Sequence, residues 1–389
     1  MIDIAAVRAD TPGTAFVAHF NNAGASLMPR PVLETITGYL NEESLFGGYE
    51  TADAFDADLE AVYGTLARLI GADPSEIALA DSATRAWDLA FTAMRFAEGD
   101  RILTTTSEYA SNVIAFLQVA ERTGVIVDVV PDRPTGEIDV DALDSMIDDR
   151  VRLIAINHVP TNGGLVNPAA EVGRVSNAHG VPYLLDACQS VGQMPIDVGE
   201  IGCDLLSTTS RKFLRGPRGA GFLYVSPAML DQLDPAVLDL HGARWEARDR
   251  YEMRADARRF ELWERSPALV LGVGRAAAYA MDIGLKAIWE RVSMLGEKLR
   301  MALSTEGGVT VRDIGTVRGA IVTFTVDGHE AGAVQEALHA QSINVSTVTP
   351  YSARFDMEAR GLPNLVRASV HYFNSEDEID RLVAAVAAL

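Results

Sequence analysis

The chain has 389 residues, 48% of them hydrophobic and 22% charged, the balance of a globular protein large enough for two joined domains. Its 33 basic and 54 acidic residues leave a formal charge of −21, which argues against a broad nucleic-acid-binding surface and directs attention to local arginine clusters as anion sites. Cys188 and Cys203 give neither a disulfide framework nor metal-ligand spacing, and no apolar run is long enough to span a bilayer. Met1–Val7 lacks the basic start of a signal peptide, so a cytoplasmic protein without metal, nucleic acid or membrane as partner is expected.

The first feature is Phe20-Asn21-Asn22-Ala23-Gly24-Ala25-Ser26, a small-residue loop that permits close backbone approach to a ligand or a neighbouring subunit. Helices are predicted around Val32–Leu40 and Phe55–Ile70, with Gly47-Gly48-Tyr49 as a break between them. From Ile77 to Val225 short apolar runs alternate with helical patterns. The runs are Ile77–Leu79, Ile102–Thr104, Val125–Val130, Leu153–Ile156, Tyr183–Leu185, Leu205-Leu206 and Phe222–Val225. They are apolar without strict alternation, as strands covered on both faces should be. The repetition predicts an α/β fold with a mainly parallel sheet covered by helices, whose ligands lie beyond the carboxyl ends of the strands. After Pro267 the texture changes to a long helix carrying Ile288, Val292, Leu295 and Leu299, a strand over Gly319–Val326, a helix over Ala331–Gln341, a strand over Val366–His371 and a closing amphipathic helix. These elements predict a smaller α+β domain. The expected division is a large domain over 15–266 and a small one over 267–389 together with 1–14.

Polar motifs of interest follow the apolar runs. Lys212 stands between two strand patterns, in a loop dense in glycine and arginine, where an amine is costly unless chemistry requires it. Asp186, in Asp186-Ala187-Cys188-Gln189, ends another run. A lysine for an aldehyde and an acid for a ring nitrogen are the two groups that pyridoxal phosphate needs, so Lys212 is expected to form its Schiff base and Asp186 to hold its pyridinium proton. Asp186 alone would read as a helix cap. Ser82-Ala83-Thr84-Arg85 opens a helix, where free amides and the helix dipole favour a phosphate. Tyr109, in Glu108-Tyr109-Ala110-Ser111-Asn112, offers a ring for a planar cofactor, a buried core tyrosine being the default.

Taken together, these motifs resemble the class V aminotransferase and cysteine desulfurase family of fold-type I pyridoxal-phosphate enzymes, from Asn21-Asn22-Ala23-Gly24 to Arg367–Asn374. The resemblance implies cofactor binding by Ala83, Thr84, Tyr109, Thr161, Asp186, Gln189, Thr209, Arg211 and Lys212. Thr84 with the Ala83 amide, and Thr209 with Arg211, would serve the phosphate; Gln189 would bond the phenolate; Thr161 stands where many relatives carry asparagine. It implies substrate binding by Asn22 and Arg367, the latter clamping the α-carboxylate of an amino acid. It implies a homodimer as well, with Arg259–Pro267 in the segment that reaches toward the partner's phosphate.

The stretch Val345–Asp356 stands where cysteine desulfurases carry a nucleophilic cysteine, and it has none; Cys188 and Cys203 both read as structural. The nearest likeness is to hercynylcysteine sulfoxide lyases and isopenicillin-epimerase-like proteins. A carbon–sulfur β-lyase on a cysteine-derived substrate is therefore expected. An aminotransferase or epimerase is the alternative, and a non-catalytic protein retaining the fold fits least because Lys212, Asp186 and Arg367 are all kept. Arg215 and Arg218 are candidates either for an acidic substrate tail or, equally, for pairing with the chain's many carboxylates.

Overall fold

The computed structural model describes residues 2–389. Its centre is a seven-stranded sheet formed by β1 (Ile77–Ala80), β2 (Arg101–Thr105), β3 (Ile126–Val130), β4 (Val151–Asn157), β5 (Tyr183–Asp186), β6 (Leu205–Thr209) and β7 (Gly221–Val225). The spatial order is β1-β7-β6-β5-β4-β2-β3, and β7 alone runs against its neighbours. Every residue of β5, β6 and β7 is buried, which is why Tyr183–Leu185, Leu205-Leu206 and Phe222–Val225 do not alternate, and the polar residues Asp186, Ser207, Thr208 and Thr209 are buried at the carboxyl ends of β5 and β6. The edge strand β3 keeps polar Asp128 and exposed Ile126 because only one side of it is closed. Because β2, β4, β5 and β6 are parallel, their carboxyl ends bring distant polar residues to one edge.

The helix Pro267–Ile283 packs on Arg30–Phe46 and Asp56–Ile70. Close packing requires glycine there: a Cβ on Gly272 would lie 2.7 Å from Ile36 Cγ1, and one on Gly274 would lie 2.7 Å from Val62 Cγ2. The break at Gly47 is a positive φ of 98°, after which the chain turns at once into the helix Gly48–Ala54 rather than staying a loop. Beyond β7 lies a hairpin of β8 (Ala243–Ala247) and β9 (Arg250–Met253) that no sequence pattern announced. Trp245 and Tyr251 face each other across it, and both are exposed.

A second sheet, ordered β10-β11-β13-β12, contains β10 (Val309–Val311), β11 (Ile321–Val326), β12 (Ser346–Val348) and β13 (Leu365–Ser369), all antiparallel. The helices Leu285–Thr305, Ala331–His339 and Glu376–Ala387 pack beside it. The last begins with a capping box, Ser375 accepting from the Glu378 amide while the Glu378 side chain accepts from the Ser375 amide. The N-terminal segment attaches to this part of the chain: Ala18–His19 pairs with Ile343–Asn344, and Asn21 bridges Ser369. That attachment extends past residue 15, the expected start of the large domain. Arg8, paired with Glu378 at 2.9 Å, ties the two chain ends together.

Candidate active site

At the carboxyl edge of the large sheet is a cavity. Ala83, Thr84 and Tyr109 form one side; Asn157, Val159 and Thr161 another; Asp186, Cys188, Gln189 and Lys212 close it, with Asn112 behind. Each position follows from the topology. Ala83 and Thr84 begin the helix Ala83–Thr92, whose N-cap Ser82 accepts from the Arg85 amide at 3.1 Å and leaves earlier amides free. Gly221 makes room there, since a Cβ on it would meet the Thr208 carbonyl at 2.4 Å and Ala83 N at 3.4 Å. Asn157 and Asp186 are paired neighbours at the ends of β4 and β5.

Asp186 is buried, with Oδ1 accepting from the Cys188 amide at 2.9 Å and Oδ2 from Asn112 Nδ2 at 3.1 Å. Lys212 is partly buried at the cavity wall. Desolvation lowers its pKa from the ordinary lysine value, the nearby Asp186 carboxylate works against that, and the guanidiniums of Arg211 and Arg367 add to it. A lysine so perturbed is closer to losing its proton than an exposed one. Burial pushes the Cys188 thiol up, with Asp186 adding to it, and pushes the Cys203 thiol up as well, with Asp204 adding to that. His158, whose amide bonds the Asp186 carbonyl at 2.9 Å, is pushed down to about 4 by burial and is uncharged.

The structure gathers Ala83, Thr84, Tyr109, Thr161, Asp186, Gln189 and Lys212 around one space and sets four other expected residues apart from its wall. Thr209 is buried in β6 beside Gly221. Arg211 donates Nη1 to the Gly24 carbonyl. Arg367, in the middle of β13, sends Nη1 to Thr161 Oγ1 at 2.8 Å and to its carbonyl at 3.0 Å, and Nη2 to Asn21 Oδ1 at 3.4 Å. Asn22 has no free polar atom for a substrate: Nδ2 donates to the His19 and Ser369 carbonyls, and Oδ1 accepts from Ser26. Its neighbour Asn21 is the one that meets Arg367.

Cys188, two residues after Asp186, is buried on the cavity wall. In the segment 259–267, Trp263 is half exposed and Arg259 is buried, bonding the Arg254 and Leu230 carbonyls. One other expectation changes. Arg215 cannot take a substrate tail. It is 1% exposed at φ 62°, and it donates to the Leu27 carbonyl at 2.9 Å and to Tyr372 Oη and Thr11 Oγ1 at 2.6 Å each. It therefore pins the lysine loop to both chain ends.

Sequence reasoning passed over Glu108, Asn112 and Asn157. Glu108 and Asn112 bracket the stretch that yielded only Tyr109, and their four-residue spacing across a helix start was the available signal.

The cavity's chemistry fits a polar, anionic, planar group. Gln189 Oε1 on the wall and Arg367 Nε, of the guanidinium that bonds Thr161 from behind it, are buried without a hydrogen-bond partner, whereas buried polar atoms are as a rule paired. A carboxylate and an amine stand on the wall with an aromatic side chain and a helix N-terminus.

The model of the aminotransferase class-V family matches residues 18–382. The chain belongs to that family. It is 30% identical to a probable cysteine desulfurase of Halobacterium salinarum, covering 99% of this chain and 96% of the relative. The apo structure of cysteine desulfurase from Thermococcus onnurineus superposes with a TM-score of 0.92 at 25% identity, covering 100% of this chain and 98% of that one. The cystine C–S lyase C-DES, solved in complex with its reaction product cysteine persulfide, superposes with a TM-score of 0.88 at 25% identity, covering 97% and 99%. This family member is an enzyme that depends on pyridoxal 5'-phosphate, and its fold is the fold-type I architecture.

Proposed function

We propose that the protein is a carbon–sulfur β-lyase acting on a cysteine-derived amino acid. The observation that carries this reading is the loop over 349–353. It docks onto the start of the helix Ala110–Thr123 through the bond from the Ala110 amide to the Ser352 carbonyl at 3.1 Å, and it presents Tyr351, 85% exposed, with no thiol. Both cysteines are buried, with their thiol pKa values raised. A chain arranged this way lacks an accessible thiolate to accept sulfur, whereas elimination needs none. The likeness to the C–S lyase supports the same choice.

The cofactor would supply an aldehyde for the substrate amine and a cationic ring that accepts electron density. Thr84 and the free amides after Ser82 would hold its phosphate, and Tyr109 would cover one ring face. Asp186 would keep the ring-nitrogen proton in place. Arg367, already oriented by Thr161 and Asn21, would bind the substrate carboxylate, its unpartnered Nε adding a donor. Lys212, with its lowered pKa, would take the proton from the substrate α-carbon as the Cβ–S bond breaks and the thiolate leaves. We further propose a homodimer, which the exposed Trp245, Tyr251 and Trp263 beyond β7 favour.

Purified protein loaded with cofactor should release pyruvate and ammonia from S-substituted cysteines or their sulfoxides, with no keto acid required. Stoichiometric transfer of the amino group to an added keto acid, without pyruvate release, would establish the aminotransferase instead.

A further inference from the structure

Behind Asp186 stands a second carboxyl that the reaction outlined above does not use. Glu108 is 1% exposed, two residues before the helix Ala110–Thr123. Its Oε1 accepts from the Tyr109 amide at 2.9 Å and from Asn112 Nδ2 at 2.8 Å, and its Oε2 lies 2.9 Å from Thr104 Oγ1. Asn112 Nδ2 is also the donor to Asp186 Oδ2 at 3.1 Å. One amide nitrogen, with its two hydrogens, therefore bridges two buried carboxyl groups. A satisfied helix start accounts for the Tyr109 contact. It does not account for the second reach of Asn112 toward the cavity wall.

Two carboxylates joined by one neutral nitrogen cannot both ionise cheaply away from water. Their surroundings differ in a way that decides which one does. Asp186 shares the cavity wall with Lys212 and takes the Cys188 amide. Glu108 makes its three contacts with neutral groups, and burial together with the Asp186 charge pushes it up to about 8. A proton on Oε2 would be donated to Thr104 Oγ1, whose hydroxyl can accept as readily as donate.

We propose that Glu108 and Asn112 are positioning residues: an uncharged Glu108 fixes the Asn112 amide, and Asn112 fixes Asp186 as the single anion behind the cofactor ring nitrogen. The proposal rests on the assignment of Asp186 to that nitrogen. Glu108 touches neither substrate nor cofactor, and it acts on Asp186 through Asn112.

The test uses the cofactor-loaded enzyme with an isotopically labelled ring nitrogen, read by NMR, alongside cofactor affinity and melting temperature. Glu108→Ala should lower the protonated fraction of the ring nitrogen and weaken cofactor binding roughly ten-fold, the scale seen when a partner that orients a ligating group is lost. Glu108→Gln, which matches the protonated acid in shape and charge, should restore the native ring signal. Asn112→Ala should reproduce the defect without altering Glu108, and it serves where Glu108→Ala does not fold. A native ring signal in both alanine variants, with only the melting temperature lowered, would reduce the pair to a structural role and overturn the proposal. Equal damage from Glu108→Gln and Glu108→Ala would overturn it too, since the charge would then be what matters. Native protein that holds no cofactor at Lys212 would instead sink the functional reading itself.

Discussion

The two sides of the cavity are built differently. The cofactor side hangs from the carboxyl ends of β4, β5 and β6, where every residue of β5 and β6 is buried and Asp186 is anchored by two donors. The side we propose for the substrate combines Arg367 on the second sheet, which bonds Thr161 of the cavity wall, with the loop over 349–353, whose Tyr351 stands 85% in solvent. The first arrangement is fixed by sheet register and strand order. The second includes an exposed loop, whose residues can vary without disturbing the core.

That contrast predicts where damage is total and where it is selective. The largest effect should come from Lys212→Ala on the cofactor side. Turnover should fall by about 10²–10⁴-fold, the usual scale for losing a positioned proton-transfer group. Borohydride treatment should no longer fix the cofactor to the peptide that contains residue 212. Labelling of another lysine in the native enzyme would remove the central assignment.

A smaller and more selective loss is expected from Arg367→Lys. The ammonium keeps the charge but not the fork that Thr161 and Asn21 orient, so KM for the amino acid should rise roughly ten- to a hundred-fold, as for a lost charge-assisted hydrogen bond. Borohydride should still fix the cofactor at Lys212. If that variant lost the cofactor as well, the two sides would not be separable, and Arg367 would belong to the cofactor side.

The same division governs what the sequence revealed. The central strands of the large sheet were legible because burial makes their starts apolar runs, and Asp186 and Lys212 drew notice because each follows such a run; the fold brings both to the cavity wall. The hairpin of β8 and β9 was not, since its residues are mostly exposed and carry no core-facing pattern. Arg215 misled for a related reason. A guanidinium beside a lysine expected to bind a cofactor suggests an anion site, and only the fold shows that Tyr372 and Thr11, distant in sequence, consume its donors. Asn22 and Asn21 illustrate the same limit, because which of two adjacent amides turns inward depends on Ser369, far along the chain. Glu108 was in plain view, but its role rests on a bridge to Asp186 that sequence spacing does not encode.

The smallest effect is thermodynamic and probes the depth of the cofactor side. Glu108 is raised from 4.5 to about 8 in the folded chain, by burial first and the Asp186 charge second. Between those values the folded chain holds a proton that the unfolded chain has released, so stability falls as pH rises through this window and levels off on either side of it. The Glu108→Gln variant lacks that titration. In cofactor-free protein, its denaturant midpoint relative to native should therefore move in favour of glutamine between about pH 5 and about pH 8, with no further gain above. Parallel curves for the two proteins across that range would mean that Glu108 ionises with the ordinary carboxylates. Asp186 would then share its amide bridge with a second full charge, and the cofactor side would hold two anions where a single one is expected.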